Sequence, residues 1–345
     1  MSEEIKWYEK SGAEGDVVIS SRIRLARNLR SLPFPEHLND AGKQRVLELV
    51  QKEAMGANSL FANRFTWIPM TSLSKTAAVS MVERHLVSPE FISRPQGRAL
   101  LLSKEEEIAV MVNGQDHLRL QVMKKGLSLK EAWKEANHLD DVFNERLSFA
   151  FDDRLGYLTQ SPADLGTGLR ASLVLHLPAL EEGGIINRTI ENLSKLGLSL
   201  RGVSFGEREE AVGSLYRLSN QVTLGLSEEE AITNLSGIAM QLIRQERGAR
   251  EKLIARIEVQ DMVARSLGIL RTARILSAGE CMKLLSNVRL GVYTGMISGI
   301  PLEQLNRLSV LAQPATLRLP SLHEESSGEE PDIMRARIFR EALED

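Results

Sequence analysis

The sequence predicts an α+β fold, in which an antiparallel β-sheet flanked by helices is followed by a small all-helical domain. Three apolar runs of strand length, over 98–103, 108–113 and 117–123, are separated by short polar connections, a pattern typical of an antiparallel meander. Mixed strand and helix patterns continue to about Ser227. Beyond it apolar residues recur at helical spacing, so we divide the chain into a first domain, 1–248, and a helical domain, 249–345.

The first half of the chain begins with a predicted strand. The run 17–20, which begins with three β-branched residues, starts it, and residues 21–30 continue it with arginines at 22, 24, 27 and 30. Arg22 and Arg24 are two residues apart, so they share one face if the strand persists. Helices are expected over 40–54 and 75–86, and the second must end before Ser88-Pro89 because proline cannot continue it.

The second half of the first domain is predicted from its own patterns. A long amphipathic helix is expected over 128–149, a further helix over 187–196, and strands over 198–204 and 214–219. Periodicity does not decide whether 171–177 is a strand or a buried helix. In the helical domain Pro301 suits the first position of a helix, and an exposed acidic linker over 321–331 precedes a terminal helix over 332–343.

Composition excludes several classes of protein. The 43 basic and 46 acidic residues give a net charge of −3, which disfavours a general nucleic-acid binder. The single cysteine, Cys281, excludes a disulfide framework and fits a reducing cytoplasm. Residues 1–10 lack the apolar core of a signal peptide, no apolar run approaches a membrane span, and the six histidines lack metal-ligand spacing. We expect a cytoplasmic protein without membrane contact or metal site.

Five arginines in short motifs are the candidates for chemistry. Each stands at the end of a predicted strand or beside a glycine turn, where binding residues tend to lie. Arginine binds phosphate through a planar fork of donors, so several that converge suit a triphosphate. The alternative is that they are independent surface charges, which is the commoner case for any one alone. Walker and protein-kinase motifs are absent. The five are Arg22, Arg24, Arg119, Arg170 and Arg201.

The motifs that contain these arginines resemble the signature segments of the ATP:guanidino phosphotransferases, which include creatine and arginine kinases. They are SSRIR at 20–24, DHLR at 116–119, SPADLGTGLRAS at 161–172 and RGV at 201–203. Within the family the chain is most similar to the bacterial protein arginine kinases. That narrower likeness is carried by HLPAL at 176–180, SNQVTLG at 219–225 and the position of the helical domain after the first one.

The resemblance implies a phosphagen-kinase-like catalytic domain that binds ATP, with Mg²⁺ held through the nucleotide phosphates. It also implies which residues contact the nucleotide. For His85 the alternative is a helix-end histidine beside the last carbonyls. The implied set comprises Ser20, Ser21, Arg22, Ile23, Arg24, His85, Arg119, Arg170, Ala171, Ser172, Leu173, Val174, Arg201, Gly202, Val203, Ser204, Phe205, Gly206 and Glu207.

The acceptor chemistry requires a group that can hold a guanidinium. Glu207 is the candidate carboxylate, although a solvated charge run over 207–210 is the alternative. A guanidinium has a pKa of about 12.5–13.8 and a free Glu about 4.3, so this carboxylate is a poor base. It can still orient the attacking nitrogen and accept its proton as the N–P bond forms.

Two positions depart from the family pattern on the acceptor side. Gln115 stands where the family has a carboxylate, and Ser161 stands where it has a reactive cysteine. Gln115 can accept a hydrogen bond but carries no charge, and a hydroxyl offers no thiolate to pair with a cation. We therefore assign Gln115 and Ser161 to the catalytic site with a weakened hold on the substrate.

A short segment of the helical domain resembles the phosphoarginine-binding motif of the protein arginine kinases. Asp332, Arg335 and Ala336 match it, whereas Pro331 replaces its first arginine. The resemblance implies an allosteric site for phosphoarginine. The alternative is that Asp332 only caps a helix N-terminus.

Three functions follow in order of preference. The first is an ATP-dependent kinase that phosphorylates arginine side chains of proteins and marks them for Clp-type proteolysis. By resemblance its partners are protein substrates with exposed arginine, a small zinc-binding activator, a Clp ATPase or protease, and a second copy in a homodimer. The second is a degenerate kinase that binds ATP or phosphoarginine as a scaffold or reader, motivated by Gln115 and Ser161. The third is a phosphagen kinase for free guanidines.

Overall fold

The computed structural model describes residues 6–55, 64–203, 211–319 and 329–344. Eight strands form one sheet in the order β2-β3-β4-β5-β1-β8-β10-β9, with every neighbouring pair antiparallel, and β6 and β7 form a separate hairpin. The strands are β1 (Val18–Arg27), β2 (Phe65–Pro69), β3 (Ala99–Ser103), β4 (Ile108–Val112), β5 (Leu118–Lys125), β6 (Phe151–Asp152), β7 (Gly156–Tyr157), β8 (Leu169–His176), β9 (Leu198–Gly202) and β10 (Leu215–Asn220).

The helices lie between these strands and, after β10, occupy the rest of the described chain. They are α1 (Asp40–Met55), α2 (Lys75–Glu83), α3 (Pro89–Ser93), α4 (Leu129–Leu147), α5 (Pro178–Glu182), α6 (Ile186–Lys195), α7 (Glu228–Leu253), α8 (Ile257–Thr272), α9 (Ala278–Tyr293), α10 (Leu302–Leu311) and α11 (Pro331–Leu343). Within the described ranges no helix is both long enough and apolar enough to cross a membrane.

The predicted α+β class is confirmed, and so is the meander β3-β4-β5. The undecided run 171–177 is strand β8, which pairs with β1 on one side and β10 on the other. The sequence missed β2, α3, α5 and the β6–β7 hairpin, because elements of five residues or fewer show little periodicity. The predicted linker 321–331 lies mostly outside the described residues.

The two faces of the sheet differ because side chains alternate along a strand. Ile23 and Leu25 of β1 point into the main core, where both are fully buried. Helices α1, α4, α6 and α7 cover that face. Arg22 and Arg24 therefore lie on the opposite face, which α2 and α3 cover only over β3 and β4, through a smaller cluster that includes Leu86, Phe91 and Met111. The remainder of this second face is the floor of a cleft.

Helix α7 connects the sheet to the C-terminal helices. Its first turns pack in the main core, whereas Leu253 at its end belongs to a second core formed with α8–α11. Near that end Arg250 donates to the carboxylates of Glu246 and Asp16 and to the carbonyl oxygen of His176. The domain boundary expected after residue 248 falls inside this continuous helix and stays a prediction.

Candidate active site

A cleft of about 620 Å³ lies over the second face of the sheet and has a basic lining. Its floor comes from β1, β8, β9 and β10, and its wall comes from the segment between α2 and α3. The residues that line it are Arg22, Arg24, Val82, His85, Val87, Ser88, Pro89, Met111, Gln121, Ala163, Arg170, Ser172, Ser199, Arg201, Arg217, Ser219, Asn220 and Gln221.

The strand register arranges the cleft arginines in rows. Arg24 lies opposite Arg170, and the next row holds Arg22 opposite Ser172. One row further, Arg217 lies opposite Arg201. Successive rows are two residues apart along the strands, which corresponds to about 7 Å. The arginines therefore follow the length of the cleft, as an extended polyanion would require.

The guanidinium groups in the middle of the cleft have few partners among the described residues. Arg22 Nε donates to Ser172 Oγ at 3.2 Å, whereas Arg24 Nε is buried without a hydrogen bond. Burial and then the neighbouring arginines lower the pKa of Arg22 well below its usual value, and the same causes lower the pKa of Arg24 to about 10. Burial also lowers the pKa of Arg217. All three stay protonated at neutral pH, so a bound polyanion would relieve their mutual repulsion.

His85 lies both at a helix end and in the cleft. It follows α2 with a left-handed backbone, φ 63°, and Gln121 Nε2 donates to its carbonyl oxygen at 2.7 Å. Burial, followed by the charges of Arg217 and Arg22, lowers the pKa of the imidazole to about 3. The ring is therefore neutral at physiological pH and can accept a hydrogen bond or pack on a ligand.

Arg170 is held much more firmly than the other cleft arginines. Its Nε donates to Asp164 Oδ1 at 2.7 Å, and its Nη1 donates to the carbonyl oxygens of Asn220 and Gln221 at 3.0 and 3.2 Å. Its Nη2 donates to Ala163 O at 2.8 Å. A guanidinium has five N–H donors, so one remains for a ligand. Arg170 has a fixed orientation at one end of the cleft.

A smaller cavity of about 200 Å³ continues the cleft at this end, and we call it the end chamber. It shares Arg24 and Arg170 with the cleft. The chamber brings together Gln115, from the turn between β4 and β5, and Ser161, which precedes the glycine-rich loop. Its lining comprises Arg24, Ala26, Gln115, Arg119, Ser161, Asp164, Gly168 and Arg170.

Arg119 determines how Gln115 is oriented in the end chamber. Arg119 Nη2 donates to Gln115 Oε1 at 3.0 Å and to Asp116 Oδ2 at 3.2 Å. The one oxygen acceptor of the Gln115 amide therefore already has a donor. Gln115 keeps limited capacity to accept a hydrogen bond from an incoming guanidinium.

The glycine-rich loop 164–170 is packed from both sides. At Gly166, with φ 106°, a Cβ atom would lie 2.3 Å from Thr223 O. At Gly168, with φ 63°, it would lie 2.6 Å from Arg27 Nη1. Arg27 Nη1 donates to Thr167 O at 3.0 Å, while its other nitrogens pair with the buried carboxylate of Asp140. These glycines permit close packing that presents Arg170 to the cleft.

The structure brings together many, but not all, of the sequence-predicted site residues. Arg22, Arg24, His85, Arg170, Ser172 and Arg201 line the cleft, and Arg119, Gln115 and Ser161 line the end chamber. The side chains of Ile23, Ala171 and Leu173 point instead into the main core, because they alternate with the cleft residues.

The other residues of the implied nucleotide set do not line the cleft. The Ser21 hydroxyl donates to Gly126 O and accepts from Ser128 N, so it has a structural role. Ser20, Val174, Gly202 and Val203 are likewise absent from the lining. Ser204, Phe205, Gly206 and Glu207 lie outside the described residues.

Arg217 is the principal site residue that sequence reasoning missed. It stands alone in the run Leu215–Asn220, between Tyr216 and Leu218, both of which are buried. The available signal was this isolated charge on the polar face of an apolar strand. Without the sheet register, nothing linked that face to the other arginines.

In the helical-domain segment predicted to bind phosphoarginine, the guanidinium of Arg335 already has hydrogen-bond partners within the protein. Arg335 is 1% exposed, and it donates to Ala312 O, Leu276 O and Asp332 Oδ1 at 2.6–2.7 Å. These contacts support a structural role for the Asp332–Arg335 pair. Phosphoarginine binding by Asp332, Arg335 and Ala336 stays a prediction.

The arginine-lined cleft that leads into a second, smaller chamber has the chemistry of a site for a polyanion such as a nucleoside triphosphate. Residues 45–249 match the profile of the family described as "ATP:guanido phosphotransferase, C-terminal catalytic domain". Residues 256–345 match the profile "Protein-arginine kinase McsB C-terminal domain". The chain belongs to the ATP:guanido phosphotransferase family.

Full-length relatives support this membership. The chain is 43% identical to the "Protein-arginine kinase" of Symbiobacterium thermophilum over 343 residues, which cover 99% of this chain and 97% of that protein. It is 44% identical to the protein of the same description from Desulforamulus reducens, over 98% of this chain and 95% of that one.

Solved structures of phosphagen kinases share the fold. The duplicated taurocyamine kinase from Schistosoma mansoni is 29% identical with a TM-score of 0.60, and 68% of this chain aligns with 33% of that one. The chain thus matches about a third of that duplicated protein. Lombricine kinase, at 24% identity, TM-score 0.59 and coverage of 69% and 68%, supports the fold alone. The predicted phosphagen-kinase-like architecture is confirmed.

Proposed function

We propose that this chain is an ATP-dependent kinase that transfers the γ-phosphoryl group to arginine side chains of proteins. The observation that carries the proposal is the set of arginines, arranged in successive rows of the sheet, that leads from the cleft into the end chamber. Relatives with more than 40% identity over nearly the full length are named protein-arginine kinase, which supports a protein-bound arginine as acceptor.

In this proposal the cleft binds the nucleotide and the end chamber binds the acceptor. Arg217 and Arg201 mark the row farthest from the chamber, and Arg24 and Arg170 mark the row that borders it. The γ-phosphoryl group would lie at the row of Arg22 and Ser172, between the rest of the nucleotide and the acceptor. Mg²⁺, held through the phosphates, would neutralise further charge there.

The transfer itself needs positioning more than covalent participation by the protein. A guanidino nitrogen attacks the γ-phosphorus, the N–P bond forms, and the bond from that phosphorus to the leaving oxygen of ADP breaks. The proton of the attacking nitrogen passes to the Glu207 carboxylate in our assignment. The fixed guanidinium of Arg170 and the charge of Arg24 stabilise the phosphoryl oxygens in the transition state.

Gln115 and Ser161 favour a second candidate, a degenerate kinase that binds nucleotide or phosphoarginine as a scaffold or reader. Gln115 is uncharged and already accepts from Arg119. The rows of arginines in the cleft weigh against this candidate, because a scaffold has less need of a triphosphate site. A phosphagen kinase for free guanidines is the third candidate, and the C-terminal helical part of the protein-arginine kinase type weighs against it.

The wider context of the reaction is also part of the proposal. A cytoplasmic kinase of this type would mark its protein substrates for Clp-type proteolysis and would work with a small zinc-binding activator. A homodimer is proposed on the same grounds. Phosphoarginine bound at Asp332, Arg335 and Ala336 would regulate the kinase allosterically according to how far its protein substrates are phosphorylated.

A direct assay tests the proposal. The purified protein is incubated with ATP, Mg²⁺ and an unfolded arginine-rich protein, and mass spectrometry under non-acidic conditions detects phosphate on arginine. Parallel samples contain free arginine, a lysine-rich protein, or the Glu207→Gln variant. We expect transfer to protein arginine that Glu207→Gln abolishes. No transfer despite measurable ATP binding would replace the kinase with the scaffold, and transfer to free arginine alone would favour the third candidate.

A further inference from the structure

The end chamber contains a carboxylate to which no function has yet been given. Asp164 ends the short 3₁₀ turn Pro162–Asp164 and lines the chamber together with Gln115 and Ser161. Its side chain is 13% exposed. Among the described residues that line the chamber, Asp164 is the one acidic group, beside three arginines.

The contacts of Asp164 fix its position without using all its acceptors. Oδ1 accepts from Arg170 Nε at 2.7 Å, and Oδ2 lies 3.8 Å from Arg119 Nη2, beyond hydrogen-bond distance. An ionised carboxylate has about four lone-pair sites, so acceptor capacity remains on the chamber side. Because Arg170 is itself tied to three carbonyl oxygens, the carboxylate has a rigid support.

The charge balance of the chamber makes this carboxylate important for a cationic substrate. A guanidinium that enters meets Arg24, Arg119 and Arg170, and like charges repel more strongly where water is displaced. Arg119 is already paired with Asp116, which does not line the chamber, and Arg170 with Asp164, whereas Arg24 has no carboxylate partner among the described residues. Gln115 contributes no charge and Ser161 contributes a neutral hydroxyl. Among the described lining residues, Asp164 alone can offset the repulsion.

We propose that Asp164 is the anionic contact for the substrate guanidinium in the end chamber, and that it supplies there the charge that Gln115 and Ser161 lack. The inference rests on the proposed function, since it takes an arginine side chain as the acceptor. Asp164 binds and orients the guanidinium; the proton released on transfer goes elsewhere. The same side chain holds Arg170, so one carboxylate aligns the acceptor with the arginine that faces the phosphoryl group.

A purely structural Asp164, which serves only to hold Arg170, makes a different prediction. Loss of that function would weaken nucleotide binding and leave the preference for a cationic acceptor unchanged. The two roles are separated by comparing an arginine peptide with the same peptide containing citrulline, whose neutral urea has nearly the shape of guanidinium. Peptide binding is measured by calorimetry with the full chain saturated with Mg²⁺ and the non-hydrolysable analogue AMP-PNP.

We expect the wild-type protein to bind the arginine peptide about 10- to 100-fold more tightly than the citrulline peptide, as for one charge-assisted contact. Asp164→Asn, which keeps the shape, should bring that ratio close to one while the dissociation constant of AMP-PNP changes by less than about threefold. Adding Gln115→Glu to Asp164→Asn should restore the preference, because it returns a negative charge to the chamber.

Three results would overturn the inference. They are an unchanged ratio in Asp164→Asn, a loss of ratio that only accompanies loss of AMP-PNP binding, and a double variant without recovery. If Asp164→Asn does not fold, Asp164→Ser decides instead: its hydroxyl can still accept a hydrogen bond but carries no charge, and an unchanged ratio would contradict the proposed contact. An intact preference for arginine in a wild-type protein that transfers no phosphate would refute the kinase proposal alone.

Discussion

Arg217 lies opposite Arg201 in the register of β10 and β9, and neither guanidinium has an ion-pair partner in the described part of the chain. Burial lowers the pKa of Arg217, and its charge in turn contributes to the lowered pKa values of Arg22, Arg24 and His85. Arg217 is partly buried, and an unpaired charge in such a position destabilises a folded protein unless a ligand compensates it. Arg217 is therefore expected to favour ligand binding at the expense of stability.

Replacing Arg217 with Met should consequently have opposite effects on stability and affinity. We expect the melting temperature without nucleotide to rise by about 1–2 °C, because about 1 kcal/mol of repulsion is removed. The dissociation constant for ATP should increase about tenfold, as for the loss of one charge-assisted hydrogen bond. Differential scanning fluorimetry and calorimetry measure both quantities.

Arg45→Met is the matched control for this prediction. Arg45 is an exposed arginine of α1 outside the cleft, with its nearest carboxylate, Glu48, at 3.9 Å. It should change neither the melting temperature nor ATP affinity appreciably. A fall in the melting temperature of Arg217→Met without nucleotide would show that Arg217 stabilises the free protein, contrary to our expectation.

The buried histidines predict how stability depends on pH. Burial, as the largest cause, lowers the pKa of His85 to about 3 and that of His117 to about 4, against about 6.5 in the unfolded chain. Between pH 6.5 and 4 the unfolded state binds more protons, so stability falls as pH falls through that window. By pH 5 the loss should be about 1–2 kcal/mol for each histidine, measured by urea unfolding.

Two variants test the origin of this pH dependence. His85→Asn, which tolerates the left-handed backbone at φ 63°, should remove the contribution of one histidine and flatten the profile. His138→Gln, on the exposed face of α4, should leave the profile unchanged. Equal slopes for the wild type and His85→Asn would rule out His85 as a source of acid lability.

Arg27 and Asp140 form a buried ion pair beneath the glycine-rich loop. Arg27 is 1% exposed, and its guanidinium lies 3.5 Å from the centroid of the Tyr157 ring. Arg27→Met would leave Asp140, whose pKa burial already raises, without its partner. We expect unfolding free energy to fall by about 3–5 kcal/mol in chemical denaturation.

The double variant Arg27→Met with Asp140→Leu completes the thermodynamic cycle. Removal of both charges should recover at least half of the lost stability, because no uncompensated carboxylate remains. If the double variant instead loses as much stability as Arg27→Met and Asp140→Leu lose together, the pair does not interact as its geometry indicates.

Glu83 links the catalytic fold to the C-terminal helices. Its carboxylate accepts hydrogen bonds from Ala315 N at 2.9 Å and from Thr316 N and Oγ1, both at 2.7 Å. Glu83→Gln replaces one acceptor oxygen with an NH₂ group that faces donors, so we expect a loss of about 2–3 kcal/mol. Because α2 ends two residues before His85, ATP affinity should fall as well.

Hydrogen exchange localises this effect. The amides of 315–319 should exchange faster in Glu83→Gln, whereas Glu48→Gln on the exposed surface of α1 should change nothing. Unchanged exchange at 315–319 together with wild-type stability would contradict the bridging role of Glu83.

Local sequence patterns predicted most elements of the fold because these elements are encoded over short distances. The amphipathic repeat of α4 and the turn chemistry of the β3–β4–β5 meander are examples. The central position of β1 could not be predicted in this way. It lies between β5 and β8, whose first residues are about a hundred and a hundred and fifty positions away, and such pairings leave no local signal.

The same distinction applies to the site. The motifs around Arg22, Arg24 and Arg170 were visible in the sequence, and the cleft contains all three. Arg217 became recognisable only through the register that sets it beside Arg201. The position of Asp164 in the chamber depends on the packing of the glycine-rich loop against Arg27 and Thr223, which a list of motifs does not reveal.

The continuity of α7 limits how the protein can be divided. A fragment that ended at residue 248 would keep Glu246, which is fully buried and accepts from Ala179 N and Leu180 N, but would lose Arg250, its cationic partner. It would therefore carry an uncompensated buried acid, and Asp16 would lose one of its two arginines. A soluble catalytic fragment should extend through Leu253, and insertions that separate the two parts belong in the short connection before α8.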